Sequence, residues 1–413
     1  MSRIRIKNLG PIKEGYSSNS GWLHINKNTI FIGNQGSGKS TAAKIISTLK
    51  WIEKSLYKGI LRETEVTKKG RFQNYYCEYQ NLKNYFRDST EIEYHGEEFS
   101  FLYKSKQFTI TRGEHKENKF LTPKIMYVPA ERNFISTVSQ PDKLKYLPKP
   151  LYTFLDEYER AKQQLDEGLR IPINDINFYY DKKKKNSKIK GADYELLLEE
   201  ASSGLQSAIP LFLVSRYLTL GIKNQLANST KDSSVKEMQE LRKRVLNLLT
   251  NEKLTEEMRT AALEILSDIT KNDCFINIVE EPEQNLFPTS QWEILKTLLT
   301  FNNFYEGNEL IITTHSPYII NYLTLSAKAF YVQNKISQNC DNQTLEKLYK
   351  IVPKSSMIDG NTLSIYEFNE KNGEIIKLEK FEGLPSDHNY LNEKMGEFNE
   401  QFVELLEIED SCQ

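Results

Sequence analysis

The chain has 413 residues and a formal net charge of −1, which predicts two to three domains' worth of core and gives no global sign of a nucleic-acid or anionic-membrane partner. No apolar run comes near the roughly 18 residues of a membrane span, and the first residues lack the apolar segment of a signal peptide. The four cysteines are scattered without a Cys-x-x-Cys pair, which argues against a zinc site and predicts a reducing, cytoplasmic setting.

The N-terminal segment predicts strands that lead into a glycine-rich phosphate loop. Residues 29–32 form a short apolar strand pattern, residues 33–41 match G-x-x-x-x-G-K-[ST], and residues 42–50 follow as an amphipathic helix. Because backbone N–H groups and the helix dipole converge at such a turn, we expect ATP to bind there, with Lys39 on the β and γ phosphates and Ser40 on Mg²⁺. The residues expected to contact the nucleotide are Gly33, Asn34, Gln35, Gly36, Ser37, Gly38, Lys39, Ser40 and Thr41.

Downstream of this loop the pattern changes from helical to alternating. Polar helical sequence over residues 60–90 precedes an antiparallel meander over residues 91–111 and a short strand at 124–128. Helical pattern covers 145–168. A hairpin is then predicted from residues 178–180 and 192–196, around a tip with six lysines between Asp181 and Lys190. Those lysines either grip phosphates or form a solvated tip, and the second interpretation is favoured.

The second half predicts further helices and three buried strands. A helix begins near Gly204. The amphipathic helices of residues 226–272 form an insertion that is either a partner or self-assembly surface, which we favour, or a segment without a binding role. The strands are expected at 274–279, 309–314 and 327–332. In the tail, a hairpin is expected at Asn372-Gly373, followed by a terminal helix over residues 390–406. One side of that helix is expected to pack in the core, through Phe398, Phe402, Leu405 and Leu406.

Polar residues follow the first two of these strands. Glu280 and Glu281 come directly after residues 274–279, at the position of a Walker B motif, where ligands meet the carboxyl edge of an open α/β sheet. Glu280 is predicted to hold Mg²⁺, partly through water, and Glu281 to orient or deprotonate the attacking water. His315 ends the next strand, where its imidazole can sense the γ-phosphate. The alternatives are acidic capping of a loop and a structural histidine.

Taken with a segment before the Gly204 helix, these motifs resemble the ABC-type ATPase heads of the SMC and DNA-repair group. Ser202-Ser203-Gly204-Leu205-Gln206 stands where that group has Leu-Ser-Gly-Gly-Gln, with Ser203, Gly204 and Gln206 expected on the nucleotide. Leu205 replaces the second glycine and Glu280 the usual aspartate. The Q-loop position holds Tyr127-Val128-Pro129-Ala130-Glu131-Arg132, where Glu131 or Arg132 is expected to replace the glutamine.

Within that group, Glu280-Glu281-Pro282-Glu283-Gln284-Asn285-Leu286-Phe287-Pro288 resembles the E-E-P-E-x-x-L-x-P of prokaryotic ATPases related to the OLD (overcoming lysogenization defect) nucleases. Thr314-His315-Ser316-Pro317 and Pro129-Ala130-Glu131-Arg132 also resemble them. The resemblance covers about residues 1–335 and implies a role in anti-phage defence, as in the ATPases of the PARIS and Septu systems. About 98 residues follow His315 without an Asp-x-Asp, so no nuclease is expected in this chain.

The resemblance implies an α/β P-loop NTPase of ABC-head type, with a central mostly parallel sheet, an antiparallel β subdomain and helical insertions. Three parts are expected: residues 1–200, 201–335 and 336–413, the last packed on the head as hairpin and helix. It further implies homodimers or higher homo-oligomers that sandwich ATP between heads, and a separate effector protein, expected to be a nuclease. The alternative is a DNA-engaging repair or chromosome ATPase of SMC type, which would make nucleic acid a partner.

Overall fold

The computed structural model describes residues 2–113, 120–138, 143–144, 146–227, 272–336 and 342–411. The predicted helical insertion at 226–272 therefore lies outside the described residues except at its ends. Cys77 and Cys274 are buried free thiols, whereas Cys340 and Cys412 fall outside the description.

Eight helices and eighteen strands lie within these described ranges. The helices are α1 (Lys39–Tyr57), α2 (Glu63–Val66), α3 (Lys149–Gln163), α4 (Ser203–Ala227), α5 (Pro288–Asn303), α6 (Pro317–Ile336), α7 (Asn342–Ile351) and α8 (Tyr390–Ser411). The strands of the first half are β1 (Ser2–Leu9), β2 (Gly15–Tyr16), β3 (Leu23–Ile25), β4 (Asn28–Gly33), β5 (Phe86–His95), β6 (Phe99–Lys104), β7 (Gln107–Arg112), β8 (Pro123–Val128), β9 (Leu169–Arg170), β10 (Asn177–Asp181), β11 (Asn186–Lys190) and β12 (Glu195–Leu197). The second half adds β13 (Cys274–Glu280), β14 (Glu309–Thr314), β15 (Leu363–Phe368), β16 (Glu374–Lys377), β17 (Lys380–Phe381) and β18 (Leu384–Pro385).

The main sheet has seven strands in the order β2-β16-β15-β4-β14-β13-β8. The five strands from β15 to β8 are mutually parallel. Strands β4 and β13 are buried along their whole length, which is why their sequences are nearly continuous apolar runs rather than alternating ones. The phosphate-loop strand β4 and the carboxylate-bearing strand β13 are separated by β14.

A second sheet, antiparallel in the order β3-β1-β5-β6-β7, forms the predicted β subdomain. Helix α1 lies between the two sheets, and its apolar residues share one core with Phe31 of β4 and the aromatic residues of β5, β6 and β7. Helices α3, α4, α5 and α6 share a different core with residues such as Ile30 and Val279 on the other face of the main sheet. The chain is thus layered, and the α/β class with an antiparallel subdomain is confirmed.

Two sequence predictions of local structure are wrong. Residues 327–332, expected as a strand, belong to helix α6, because the buried residues Ile320, Leu323 and Ala327 recur at helical spacing from Pro317 onward. Strand β10 pairs with β11 across the tip Lys182–Lys185, not with residues 192–196, and β12 adds on the other side of β11.

The C-terminal segment contributes two strands to the main sheet, and the predicted three-part division of the chain stays a prediction. Strand β15 pairs in parallel with β4, and the predicted hairpin of β15 and β16 extends the main sheet. The expected core packing of the terminal helix is also wrong, since Phe402, Leu405 and Leu406 in α8 are 62%, 63% and 45% exposed.

One helix segment, Ser203–Lys223, is long and apolar enough to cross a membrane by length and composition, which corrects the expectation from the sequence. Its apolar character has a structural cause, because 72% of that window is buried inside the protein and α4 packs against α3, α5 and β13.

Candidate nucleotide site

The phosphate loop connects the end of β4 to the start of α1. Gly33 and Gly38 have φ values of 136° and 108°, and a Cβ at Gly33 would lie 2.3 Å from the carbonyl oxygen of Phe368. A Cβ at Gly38 would lie 2.7 Å from Cγ1 of Ile12. Only glycine satisfies both the backbone conformation and the space, so the loop is held in a shape that presents the first N–H groups of α1.

Lys39 lies under this loop and is 4% exposed. Its Nζ donates hydrogen bonds to the carbonyl oxygens of Gly33 at 2.9 Å and Asn34 at 2.7 Å. Burial lowers the pKa of Lys39 to about 8, against the opposing influence of Glu281, Glu283, Glu280 and Glu370. The third partner of Nζ is the Ser37 hydroxyl at 3.5 Å. A buried ammonium group held by neutral oxygens is well placed to exchange them for phosphate oxygens.

The strand register brings the predicted catalytic residues to one edge of the sheet. Thr314 pairs with Ile32, next to the start of the phosphate loop, and Glu280 pairs with Thr313. The carboxyl ends of β4, β14 and β13 therefore lie side by side. Lys39, Glu280, Glu281 and His315 meet there, which is the edge where ligands bind in open α/β sheets.

Glu280 lies at the inner part of this edge and is 4% exposed. Its Oε2 accepts a hydrogen bond from the backbone N–H of Ala130 at 3.2 Å. Its Oε1 is buried and has no hydrogen-bond partner in the described part of the chain. An unpaired buried carboxylate oxygen is an unfavourable arrangement that a cation relieves. The donor set of Glu280 and the Ser40 hydroxyl thus fits Mg²⁺.

Glu281 and His315 form a pair, with 3.3 Å between Nε2 of His315 and Oε1 of Glu281. The interaction with His315 holds the pKa of Glu281 below its ordinary value. Glu281 has a φ of 44°, a conformation that is uncommon for residues with a side chain, and its N–H donates to the carbonyl of Thr313 at 2.8 Å. The turn after β13 therefore presents an ionised, partly exposed carboxylate beside an imidazole.

Glu283 has a structural role that sequence reasoning missed. Its Oε1 accepts hydrogen bonds from the Thr314 hydroxyl at 2.7 Å and from the backbone N–H of His315 at 2.8 Å. Burial raises the pKa of this carboxyl group. Glu283 thereby fixes the end of β14 to the loop after β13 and sets the position of His315. Its position as the last residue of the Glu-Glu-Pro-Glu motif is the sequence signal that could have identified this role.

The structure corrects the expected nucleotide contact of Arg132. The side chain is fully buried, and it donates to the carbonyl oxygens of Glu280 and Glu281, each at 2.6 Å. It also donates to the carbonyl of Ser207 at 3.3 Å. Arg132 is therefore a positioning residue that joins the Walker B turn to helix α4. Glu131 beside it is exposed, and its expected nucleotide contact stays a prediction.

The predicted signature lies at the start of α4 and contacts the loop after Walker B. A Cβ at Gly204 would lie 2.5 Å from the carbonyl oxygen of Asn285, and the Ser207 hydroxyl donates to Oε1 of Gln284 at 3.3 Å. Ser203 is exposed. Gln206 is 6% exposed and donates to the carbonyls of Leu198 and Glu199, which corrects its expected nucleotide contact.

A second missed residue is Glu370, in the turn between β15 and β16. Its Oε1 accepts hydrogen bonds from the Asn34 side chain at 3.3 Å and from the Tyr390 hydroxyl at 3.4 Å. The phosphate loop is thus connected to the first residue of α8. Gln35 and Gly36 at the tip of the loop are exposed, whereas Ser37 and Thr41 are buried.

Comparison with known proteins gives a consistent but distant picture. No family model matches the chain, and no curated protein matches it. Among solved structures, it is similar to the SMC head domain from Thermotoga maritima at 12% identity, with a TM-score of 0.35 over 92% of this chain and 98% of the other. An Smc head from Pyrococcus furiosus, bound to the C-terminal domain of ScpA, gives 9% identity and a TM-score of 0.35 over 98% and 100%.

A third similar structure is an ATP-binding cassette dimer in a post-hydrolysis state with ADP and Pi, at 11% identity and a TM-score of 0.28 over 92% of this chain and 100% of the other. TM-scores below 0.5 add no weight to the assignment. The chain's own topology defines the class: a P-loop strand beside the His315 strand, then a Walker B strand, and a signature helix packed on the loop that follows. This is an α/β P-loop NTPase fold of ABC-head type.

Proposed function

We propose that this chain hydrolyses ATP and uses the nucleotide state to control a separate effector protein in bacterial anti-phage defence, within the cytoplasm. The observation that carries the ATPase proposal is the ionised Glu281 carboxylate, 3.3 Å from His315 and on the same sheet edge as Lys39. A general base, an orienting imidazole and a phosphate-binding ammonium are the parts that hydrolysis of a γ-phosphate needs.

The residues at this sheet edge have different roles in the proposed hydrolysis. Lys39 binds the β and γ phosphates, Glu281 accepts the proton of the attacking water, and His315 orients Glu281 and contacts the γ-phosphate. Ser40 and Glu280 would hold Mg²⁺, which when bound would neutralise charge on the phosphate oxygens. The exposed Ser203 would face the nucleotide of a second copy, so that two heads enclose two ATP molecules in an isologous dimer.

The direct test of the ATPase proposal is ATP turnover by purified protein and three variants. Glu281→Gln should lower turnover by roughly 10²–10⁴-fold while leaving ATP binding intact, because it removes the general base. Lys39→Ala should abolish ATP binding. The control is Glu293→Gln on α5, a carboxylate that pairs with Lys296 away from the site, and it should leave turnover unchanged. Wild-type turnover in Glu281→Gln would contradict the proposal.

The effector proposal is supported by the motif resemblance and by the exposed end of α8. Residues 398–411 carry five acidic and no basic side chains, and Phe402, Leu405 and Ile408 are 62%, 63% and 60% exposed. A partner helix with an apolar face and basic flanks would cover this surface. Helix α8 begins at Tyr390, which shares Glu370 with the phosphate loop. The helix therefore links that loop to the exposed surface, which starts about 18 Å further along its axis at Phe402.

Purification of the tagged protein from cells that carry its native operon tests whether a separate effector protein binds to it. We expect a second protein in stoichiometric amount, with its association changed by ATP. Nucleic acid without a second protein would contradict the effector proposal and favour the second candidate.

One observation favours that second candidate, a DNA-engaging ATPase of SMC type. Lys182, Lys183, Lys184 and Lys185 are all exposed at the tip between β10 and β11, where they can reach a phosphate backbone. Stimulation of ATP turnover by DNA, lost when these four lysines are replaced by glutamine, would support it. If replacing the four lysines changes neither ATP turnover nor DNA affinity, the tip is a solvated turn without a role in DNA binding.

A further inference from the structure

A cavity of about 70 Å³ lies outside the nucleotide site, between helix α3, the β10–β11 hairpin and the segment that precedes the signature. Its polar lining comes from Ser136, Tyr158, Lys162, Lys185, Asn186, Ser187 and Glu199. At roughly 30 Å³ for each water molecule in the liquid, the space suits one group of a few heavy atoms.

Several polar atoms at this cavity have no partner. Within the residues that the structure describes, Oγ of Ser136, OH of Tyr158 and Oδ1 of Asn186 are buried and make no hydrogen bond. Tyr158 is 2% exposed and Ser136 is 6% exposed. The hydroxyls of Ser136 and Ser187 lie near that of Tyr158, yet Tyr158 completes no hydrogen bond with them. Because buried polar groups are rarely left unpaired, three in one small cavity indicate a polar occupant.

Two lysines and two glutamates lie around the cavity, so its hydrogen-bond donors rather than its net charge favour an oxyanion. Lys162 is 6% exposed, with its Nζ 4.6 Å from the ring centre of Tyr158 and 2.7 Å from the Glu159 carboxylate. Lys185 lines the opening and is exposed, as is Glu199, the one carboxylate in the lining. Two ammonium groups and several hydroxyl donors around a small space are the chemistry that recognises a tetrahedral oxyanion.

We propose that this cavity binds one phosphoryl group, either as free phosphate or at the end of a phosphate ester. The Ser136 and Tyr158 hydroxyls donate to its oxygens, and Lys162 and Lys185 balance its charge. The lysine-rich hairpin tip then has a role in attracting the anion to a built site, rather than in holding it alone.

The segments that border the cavity also position residues of the ATPase site, so an occupant can influence that site, an inference that rests on the proposed function. Ser136 ends the short 3₁₀ helix Ala130–Ser136, whose first residue donates to Glu280 and whose Arg132 holds the Walker B turn. On the other side, the carbonyls of Leu198 and Glu199 hold Gln206 of the signature. An occupant therefore contacts segments that position both motifs, and we expect it to change the rate of ATP hydrolysis.

The test measures binding in Lys39→Ala protein, so that phosphate cannot occupy the P-loop and failure of the ATPase proposal cannot affect the result. Calorimetric titration in phosphate-free buffer, with inorganic phosphate and with glycerol 3-phosphate, should show one saturable site. Tyr158→Phe and Ser136→Ala, each made in that background, should weaken binding at least tenfold. Tyr152→Phe is the matched control, because Tyr152 lies on the same helix but is 55% exposed, and it should bind as before.

Tighter binding of the ion or of the ester identifies the source of the phosphoryl group, and either outcome supports the proposal. No saturable binding of either probe, or equal affinity in Tyr158→Phe, would overturn it. Thermal unfolding gives a second readout: without phosphate, Tyr158→Phe should keep its Tm, because the lost hydroxyl has no partner. A lower Tm in that buffer would show that the hydroxyl is already bonded, and would also overturn the proposal.

Discussion

At the scale of single residues, the site depends on groups held in states that they would not adopt in water. Lys39 is buried among carbonyls, Glu281 has a positive φ, and one oxygen of Glu280 has no partner. Each of these features costs stability in the free protein, and under the proposed function the buried charges of Lys39 and Glu280 would gain partners in a nucleotide and Mg²⁺. The sequence motifs predicted which residues these would be, but not the environment that activates them.

The lowered pKa of Lys39 predicts that ATP affinity depends on pH. Phosphate binding needs the charged ammonium, which the free protein loses as the pH rises through about 8. The dissociation constant for ATP should therefore be flat below that pH and rise roughly tenfold for each further pH unit. Fluorescence titration with a labelled ATP analogue between pH 6.5 and 9.5 measures this dissociation constant. Circular dichroism at each pH checks that the protein is still folded. A flat profile to the upper limit would contradict the buried state of Lys39.

Arg132 is predicted to act on stability as well as on catalysis. Arg132→Met leaves the carbonyls of Glu280, Glu281 and Ser207 buried without their donor, and we expect a loss of about 3 kcal/mol in the free energy of unfolding. Denaturant titration measures the loss. Arg170→Met is the control, since that side chain is 73% exposed in its pair with Asp175, and it should change stability by less than about 0.5 kcal/mol. Equal stability of the two variants would contradict the assigned role.

At the scale of elements, the most informative contact is between the start of α4 and the loop after β13. Strand–loop–helix order at residues 29–50 and the apolar strand at 274–279 were predictable, because local periodicity and glycine spacing carry that information. The placement of Gln206, Arg132 and Glu283 was not predictable from local pattern. Their partners are backbone carbonyls, hydroxyls and N–H groups of segments distant in sequence, and only the tertiary fold brings these together.

Two glycines of α4 give a matched test of that contact. Gly204→Ala would place a Cβ 2.5 Å from the Asn285 carbonyl oxygen, whereas a Cβ at Gly221 meets nothing within 4 Å. We expect Gly204→Ala to lower stability by about 1–3 kcal/mol and to reduce ATP turnover, because the signature moves away from the loop. Gly221→Ala should raise stability by about 0.5–1 kcal/mol through helix propensity. Thermal unfolding and turnover assays measure both, and a harmless Gly204→Ala would contradict the close contact.

At the scale of the whole molecule, the start of α4 and the exposed end of α8 are two surfaces that contact the candidate nucleotide site through different segments. The phosphate loop connects through Glu370 and Tyr390 to α8, and the loop after Walker B connects through Gly204 and Ser207 to α4. This arrangement predicts that nucleotide state is communicated both to a second head and to a partner on α8, a coupling that must act in both directions.

The exposed end of α8 is predicted to affect association without affecting the fold. Phe402→Ser with Leu405→Ser removes apolar surface that is already solvated, so the free energy of unfolding should change by less than about 0.5 kcal/mol. Recovery of the effector in purification from native cells should fall at least tenfold. Leu298→Ser, in the core contributed by α5, is the contrasting variant and should unfold the protein. Unchanged recovery of the partner would exclude α8 as its docking surface.

We propose that ATP binding joins two heads and that hydrolysis with Glu281 as general base separates them. Native mass spectrometry of Glu281→Gln, with and without Mg²⁺ and ATP, tests this most directly. We expect a monomer without nucleotide and a dimer that retains two ATP molecules when nucleotide is added, with the same dimer absent from Lys39→Ala. A Glu281→Gln protein that binds ATP and stays monomeric would contradict it.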